Sequence, residues 1–225
     1  DIGHQRCGAS PGSCAVELAR LAASARHLRF SGLMGYQGHV VDLEDREQRE
    51  SGTRQCLQRL VQTREEVERA GIEVAIVSTS ATGDYYISTS YDGVTEVQAG
   101  SYALMDAAYA KLDLGFRNAL SVLTMVTSRP TPDRVITDAG LKEIDNLPAI
   151  ERAKILWGAP PDAIYSLVGD DMGRIDFARP GDSMAVGDVV ELMPPHCYQT
   201  AALYSHYNVV RGDELVDIWP VDARD

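Results

Sequence analysis

Two loops of small polar residues, 78–83 and 100–102, have the composition of a site for an anion. Each follows a segment rich in β-branched residues, 72–77 or 94–99, so both are predicted to lie at strand ends. The second loop also precedes an alanine-rich segment, and the unpaired amides at a helix start attract anions. We predict one phosphate group held between the two loops, although either alone is also compatible with an ordinary strand-to-helix connection. The residues expected to contact the phosphate are Ser80, Thr82, Gly83, Gly100, Ser101 and Tyr102.

His39 ends the segment Gly35-Tyr36-Gln37-Gly38-His39, which follows a predicted strand at 28–34. An imidazole has a pKa near neutrality and can exchange a proton with a substrate. The glycines of this segment leave backbone room for a substrate to approach. His39 is therefore a candidate catalytic residue, and the alternative is a surface histidine that only makes hydrogen bonds.

His196 follows Pro194-Pro195 at the predicted end of a strand and precedes Cys197 and Tyr198. Imidazole combined with thiolate suits zinc, whereas imidazole combined with carboxylate suits manganese and similar ions. Adjacent residues of an extended chain point to opposite faces, which disfavours binding of one ion by His196 and Cys197 together. A neutral phenol such as Tyr198 is a poor ligand because its reference pKa is about 10. His196 is thus either a metal ligand or a buried, hydrogen-bonded histidine.

Three segments together resemble one protein family. They are Val-Thr-Glu-Val-Gln-Ala-Gly-Ser-Tyr at 94–102 with the later Met105-Asp106, Gly-Leu-Met-Gly-Tyr-Gln-Gly-His at 32–39, and Pro-Pro-His-Cys-Tyr-Gln-Thr at 194–200. The residues of these segments and their order along the chain resemble those of the D-threonine aldolase and D-serine dehydratase family. The resemblance implies a pyridoxal phosphate enzyme with the alanine-racemase type of fold, in which a (β/α)8 barrel is joined to a β-domain.

The resemblance also implies roles for residues of the first part of the chain. Arg6 matches an arginine that lies near the ring oxygen of the cofactor in the family, where its charge would favour the ionised oxygen. Tyr36 is implied as a contact of the cofactor or the substrate. The match of Gly-Tyr-x-Gly-His supports His39 as the catalytic residue.

A divalent metal ion, manganese or zinc, is implied beside the cofactor. In the family it is bound by a histidine and by an aspartate or cysteine two positions later, which assigns the ligands to His196 and Tyr198. Because tyrosine departs from that pattern, three arrangements remain open. Cys197 could replace the second ligand, Asp170 or Asp171 could supply a carboxylate, or the site could bind no metal.

The predicted architecture is an α/β fold in two parts. Apolar residues recur at helical spacing in 15–25 and within 42–71, and shorter apolar segments predict strands between them. Further along, the pattern changes to alternating segments separated by Gly, Pro and Asp, with a hairpin loop at 129–133. We predict the C-terminal part of a (β/α)8 barrel with the phosphate loops over residues 1–118, followed by an all-β domain with the metal site over 119–225.

The lysines are few and are not placed for covalent attachment of the cofactor. A complete barrel takes about 250 residues, so roughly half a barrel is expected outside this chain. The lysine that binds the cofactor in the family belongs to an early barrel strand, whereas Lys111, Lys142 and Lys154 do not follow predicted barrel strands. The chain alone is therefore predicted to be inactive. It could be part of a longer protein, one of two polypeptides that assemble, or a non-catalytic fragment.

Composition limits the partners and the location. The net charge of −12 and the pI of about 4.8 argue against nucleic acid and anionic membranes as partners. No apolar run is long enough to span a membrane and no leader pattern opens the chain, so we predict a cytoplasmic protein. The four cysteines are far apart and include no CxxC pair, which predicts reduced thiols.

The function implied by the resemblance is that of a pyridoxal phosphate-dependent lyase on small D-β-hydroxy amino acids. The expected reaction is retro-aldol cleavage of D-threonine-like substrates to glycine and an aldehyde, in a homodimer. The alternative within the same class of enzymes is dehydration of D-serine or 3-hydroxyaspartate.

Overall fold

The computed structural model describes residues 1–145, 152–178 and 184–222. The chain divides into two compact units, residues 1–102 and residues 103–225. The predicted domain boundary, between residues 118 and 119, lies inside the second unit. No helix among the described residues is long and apolar enough to cross a membrane.

The first unit alternates parallel strands with helices. Its elements are α1 (Ser13–Ser24), β1 (Gly32–Met34), α2 (Arg46–Arg69), β2 (Ile76–Thr79), α3 (Tyr85–Ser88) and β3 (Glu96–Val97). The strands lie in the order β1-β2-β3 and pair in parallel. Because α2 connects β1 to β2 and α3 connects β2 to β3, this unit has the strand–helix–strand connections predicted for part of a (β/α)8 barrel.

Helix α2 supplies much of the core of this unit. It begins at Asp45, whose carboxylate accepts a hydrogen bond of 2.8 Å from the Gln48 amide and so caps the helix. Leu60 and Val67 are buried on one face of the helix and belong to the same apolar cluster as Val77 of β2. The arginines and glutamates of the opposite face remain in solvent, as an amphipathic helix requires.

The second unit is mainly antiparallel sheet. Its elements are α4 (Ala107–Ala110), β4 (Val122–Thr131), β5 (Arg134–Thr137), β6 (Lys154–Trp157), β7 (Ile164–Leu167), β8 (Gly173–Asp176), β9 (Val189–Met193), α5 (Cys197–Ala202), β10 (His206–Arg211) and β11 (Glu214–Pro220). Six strands lie in the order β6-β9-β4-β5-β8-β7, and the two end strands also contact each other, so the sheet curls towards closure. Val126, Val135, Ile175, Val190 and Leu192 form the core of this unit. β10 and β11 form a separate hairpin.

Several predicted elements differ in extent from those observed. The hairpin predicted at 129–133 is present, but β4 continues as far as Thr131 before the chain turns into β5. The strand predicted at 94–99 is reduced to two residues in β3, and the helix expected after it is a 3₁₀ turn, Ser101–Ala103, followed by the short α4. β6 and β7 were not predicted.

Candidate cofactor and metal sites

The two predicted phosphate loops lie side by side in the first unit. Ser80 follows β2 directly and has a positive φ of 79°, which turns the chain sharply at the end of the strand. Thr82 is buried, and its hydroxyl oxygen accepts a hydrogen bond of 3.1 Å from the Tyr102 amide. This bond joins the loop after β2 to the loop after β3. The carboxyl ends of parallel strands are the usual place for ligands in barrel enzymes.

The donors of these loops fit a phosphate group. In the part of the chain that the structure describes, the amides of Thr82, Gly83 and Gly100 have no hydrogen-bond acceptor. No atom lies within 4 Å of the point where a side chain of Gly100 would begin, so a ligand can approach the backbone there. The Thr82 hydroxyl already accepts one hydrogen bond and can donate its own proton to a phosphate oxygen. Ser101 begins the 3₁₀ turn beside these donors.

Arg6, Tyr36 and His39 form a second group in the same unit, which we call the His39 cluster. The guanidinium of Arg6 lies 4.9 Å from the ring centre of Tyr36. His4 contacts the edge of Tyr36 at 5.3 Å between ring centres and stacks on His39 at 5.9 Å. His39 Nε2 lies 3.9 Å from the Cys56 sulfur.

Burial and neighbouring charges shift the pKa values of His39 and Cys56. Partial burial of the His39 ring lowers its pKa below 6.5, and the positive charges of His4 and Arg59 lower it further. The ring is otherwise exposed. Burial raises the pKa of the Cys56 thiol, which therefore keeps its proton at neutral pH. The arrangement presents a neutral imidazole that can accept a proton.

His4 was not predicted as a site residue. Gln5, between His4 and Arg6, has a left-handed backbone with φ of 58°, so the side-chain alternation of an extended strand does not relate these two residues. The sequence therefore contains no local signal that links His4 to the cluster.

The second unit brings three metal-ligand types together. Asp106, His196 and Cys197 each offer a ligand atom, and these atoms all lie within 4.8 Å of one another. All three residues are buried. Asp106 Oδ2 lies 3.4 Å from His196 Nδ1, a separation suited to two ligands of one ion with bonds of about 2 Å. A carboxylate, an imidazole and a thiol in this arrangement fit a divalent ion such as zinc.

Asp106 organises this group through its backbone contacts. Its Oδ1 accepts a hydrogen bond of 3.0 Å from the Tyr109 amide and caps α4, and its Oδ2 accepts one of 3.0 Å from the Cys197 amide at the start of α5. The Ala107 amide donates to the carbonyl of Pro194, which holds the end of β9 against α4. Asp106 was not predicted as a ligand, although an aspartate before an alanine-rich segment is the pattern of a helix cap.

The predicted ligand Tyr198 is the second residue of α5. Its side chain is 57% exposed, and its ring contacts the His196 ring edge-on with centres 4.0 Å apart. His196 is the last extended residue before α5 and Cys197 is the first helical one, so the alternation argument against Cys197 does not apply. Asp171 instead pairs with Lys142 at 2.6 Å. The assignment of Tyr198 as a ligand stays a prediction.

Comparison with known proteins connects both units to one family. The family model described as alanine racemase, N-terminal domain, matches residues 1–108. The model described as putative serine dehydratase domain matches residues 119–210. The chain belongs to the D-threonine aldolase and D-serine dehydratase family. The predicted family is thereby confirmed.

The similar proteins in this family are longer than this chain. D-threonine aldolase from Arthrobacter sp. is 33% identical, and the match covers 100% of this chain and 59% of the relative. 3-Hydroxy-D-aspartate aldolase from Paracoccus denitrificans strain Pd 1222 is 32% identical, with the same coverage. The crystal structure of D-threonine aldolase from Filomicrobium marinum superposes with a TM-score of 0.92 at 29% identity, over 100% of this chain and 61% of that chain. The predicted fold class, with its alanine-racemase type of architecture, is confirmed.

Proposed function

We propose that this chain belongs to a pyridoxal phosphate-dependent lyase that cleaves D-β-hydroxy amino acids of the D-threonine type to glycine and an aldehyde. The observation that carries the proposal is the hydrogen bond between the Tyr102 amide and the Thr82 hydroxyl. It holds two loops with unpaired amides together at the carboxyl ends of β2 and β3. The relatives named D-threonine aldolase and 3-hydroxy-D-aspartate aldolase support this class of reaction.

The proposed cofactor contacts follow from the donors present. The phosphate group would be held by the loop Ser80–Gly83 and the loop Gly100–Tyr102. Arg6, with Tyr36 beneath its guanidinium, would place a positive charge near the ionised ring oxygen. When bound, pyridoxal phosphate supplies an electron sink for the electrons released by carbon–carbon cleavage.

His39 is proposed to remove the proton of the substrate β-hydroxyl. If its own proton is on Nε2, that N–H points towards the Cys56 sulfur and the Nδ1 lone pair faces away from the thiol. The lowered pKa keeps this nitrogen unprotonated at neutral pH, so it can accept the hydroxyl proton.

A divalent ion is proposed at His196, with zinc or manganese as the candidates. Cys197 and Asp106 each offer a ligand atom within 4.8 Å of one on His196. A thiolate among the ligands favours zinc. The sequence-based assignment of Tyr198 to the second ligand position is kept as an alternative, in which the ion would be bound weakly because phenol is a poor ligand.

Substrate, assembly and location are also proposals. The 32% identity to a 3-hydroxy-D-aspartate aldolase favours 3-hydroxyaspartate as a second substrate candidate. A homodimer remains our prediction from the family resemblance and the two-domain layout, and a cytoplasmic location remains a prediction from the sequence.

The experiment that tests the function compares products and variants in the protein isolated from its native source. D-Threonine and D-threo-3-hydroxyaspartate are supplied with pyridoxal phosphate and Mn²⁺, and glycine, aldehydes and ammonia are measured. Cleavage predicts glycine without ammonia, whereas ammonia without glycine would show a dehydratase. We expect His39→Asn to lower kcat by about 10² to 10⁴-fold. The exposed His27 is the matched control, and His27→Asn should leave kcat unchanged.

A further inference from the structure

A fully buried carboxylate lies directly behind the proposed phosphate loop. Asp84 has 0% exposure and accepts four hydrogen bonds. Oδ1 accepts from the Ser80 hydroxyl at 2.8 Å and from the Ala81 amide at 2.9 Å. Oδ2 accepts from the Gln37 side-chain amide at 2.5 Å and from the Thr53 hydroxyl at 3.3 Å. Such a buried acceptor is costly to leave unpaired, so its partners are held in place.

The two oxygens of Asp84 bind different parts of the unit. Among the described residues, Oδ1 accepts its hydrogen bonds from the loop after β2, where Ser80 has its left-handed backbone with φ of 79°. A serine rarely adopts this conformation without support. The bonds from Ser80 and Ala81 to Oδ1 provide that support and fix the shape of the loop before Thr82 and Gly83.

Gln37 connects this carboxylate to the His39 cluster. Its side-chain nitrogen donates to Asp84, and its side-chain oxygen accepts a hydrogen bond of 3.0 Å from the Thr79 hydroxyl. Gln37 is itself fully buried and lies between Tyr36 and His39 in the sequence. The amide therefore ties the loop that carries Tyr36 and His39 to the strand end that leads into the phosphate loop.

We propose that Asp84 and Gln37 are positioning residues that set the phosphate loop in its anion-binding shape and fix its distance from the His39 cluster. This inference rests on the proposed function, because it assumes that the loop receives the cofactor phosphate. A residue that only stabilises the fold would affect unfolding without a specific effect on anion affinity. The two roles can therefore be separated by measurement.

The probes are inorganic phosphate and pyridoxine 5′-phosphate, whose lack of an aldehyde prevents covalent reaction with lysine. Their affinities for the full chain are measured by isothermal titration calorimetry. Asp84→Ala should weaken both probes by about tenfold or more, because Ser80 and Ala81 lose their acceptor. The matched control is Val67→Ala, which removes buried volume from the core of the same unit and should lower stability without changing either affinity.

A conservative variant tests the hydrogen-bond pattern itself. Asp84→Asn keeps an oxygen for Ser80 and Ala81, and the Gln37 amide can rotate because the Thr79 hydroxyl accepts as well as donates. Its affinities should stay within about threefold of the wild type. An equal loss in Asp84→Asn and Asp84→Ala would overturn the proposed role of these hydrogen bonds.

Gln37→Met separates the two halves of the inference and is decisive if Asp84→Ala does not fold. It leaves Oδ1 and the phosphate loop intact, so inorganic phosphate should bind nearly as in the wild type. Pyridoxine 5′-phosphate would contact both the phosphate loop and the loop that carries Tyr36 and His39. Its affinity for this variant should therefore be about fivefold or more below that for the wild type. Equal effects on the two probes would overturn the spacing role of Gln37.

The outcomes distinguish this inference from the proposed function. If the wild type binds both probes and Asp84→Ala binds them equally well, the positioning role is overturned and the proposed function stands. If the wild type binds neither probe, both are overturned. Amide hydrogen exchange gives an independent readout, since Asp84→Ala should speed exchange at Ala81 while the amides of β2 stay protected.

Discussion

The imidazole of His39 stacks on the His4 ring, and its Nε2 lies near the Cys56 thiol. Its pKa is lowered, first by burial and then by the charges of His4 and Arg59. Each influence acts against the protonated ring, because burial removes water from the charge and the neighbours carry the same sign. The ring is therefore prepared to accept a proton.

We expect the His39 ring to titrate below 6.5 and His4→Asn to move its midpoint upwards. The change removes one of the two positive neighbours, whereas His27→Asn should leave the midpoint unchanged. Nuclear magnetic resonance of the histidine rings across pH measures this. A midpoint at or above 6.5 in the wild type would contradict the environment described for His39.

The same lowered pKa gives a stability prediction with a definite sign. Since the folded state binds the proton less tightly than the unfolded state, the contribution of His39 is fully present above pH 6.5 and is lost as pH falls through the folded pKa. His39→Asn should therefore flatten the acid side of the curve of unfolding free energy against pH. Urea unfolding at several pH values between about 4 and 8 tests this.

Metal affinity at His196 provides the other residue-level prediction. Loss of a residue that only supports a metal ligand costs about 10 to 100-fold in metal affinity. Cys197→Ser removes a candidate direct ligand, so it should weaken metal binding by more than that. Tyr198→Phe should have little effect, and Tyr198→Asp should strengthen binding because a carboxylate replaces a poor ligand. Co²⁺ is the probe, since a thiolate ligand gives it a charge-transfer absorption band. A band that persists in Cys197→Ser would exclude the thiolate.

Asp106 acts at the scale of elements, where it joins α4 to the start of α5. Asp106→Ala leaves the buried amides of Tyr109 and Cys197 without acceptors, so we expect a loss of about 2 to 4 kcal/mol in unfolding free energy. Urea denaturation measures it. The exposed Asp222 is the control, and Asp222→Ala should change the unfolding free energy by less than about 0.5 kcal/mol. A loss of similar size in both variants would argue against this role of Asp106.

Elements with a long period or clear alternation could be predicted from the sequence. Helix α2 was predicted because its apolar positions recur over more than six turns, and the β-rich part of the chain because Gly, Pro and Asp separate its alternating segments. Helix α5 was missed, since its six residues are held by distant contacts. One such contact is the hydrogen bond of 3.2 Å from the Asp145 amide to the Thr200 hydroxyl. A local pattern contains no trace of such a partner.

The residues of the candidate sites also divide into those that could be predicted from the sequence and those that could not. The phosphate loops and His39 were predicted because each lies just after a recognisable strand. Asp84 and Asp106 were not, because a buried carboxylate looks like an ordinary turn or cap residue until its partners are known. Gln37 and Thr53, two of the partners of Asp84, lie on other elements, and only the fold brings them together.

At the scale of the whole molecule, the distribution of lysines limits the covalent chemistry. Residues 1–102, which contain the phosphate loops, include no lysine, and all three lysines lie in the second unit. The Asp171 carboxylate raises the pKa of the Lys142 amine, so this amine stays protonated and unreactive. The chain spans 59% of the length of the two curated relatives compared above.

We therefore expect that the 225-residue chain does not bind pyridoxal phosphate covalently at a specific lysine. Borohydride reduction after incubation with the cofactor, followed by peptide mapping, should show only partial labelling spread over several amines. Stoichiometric labelling of Lys111, Lys142 or Lys154 together with retained lyase activity would contradict this.

The bond from the Cys197 amide to Asp106 joins residues 91 positions apart, whereas that from Gln37 to Asp84 spans 47. Contacts between distant residues form slowly, and a nascent chain folds from its N-terminal end as it leaves the ribosome. The network behind the phosphate loop can thus assemble early in synthesis. Asp106, in contrast, has to wait until β9 and the start of α5 have been translated. Between these two moments the newly made protein would hold a finished loop network and an incomplete candidate metal site, so any metal proposed to bind there would be loaded late in maturation.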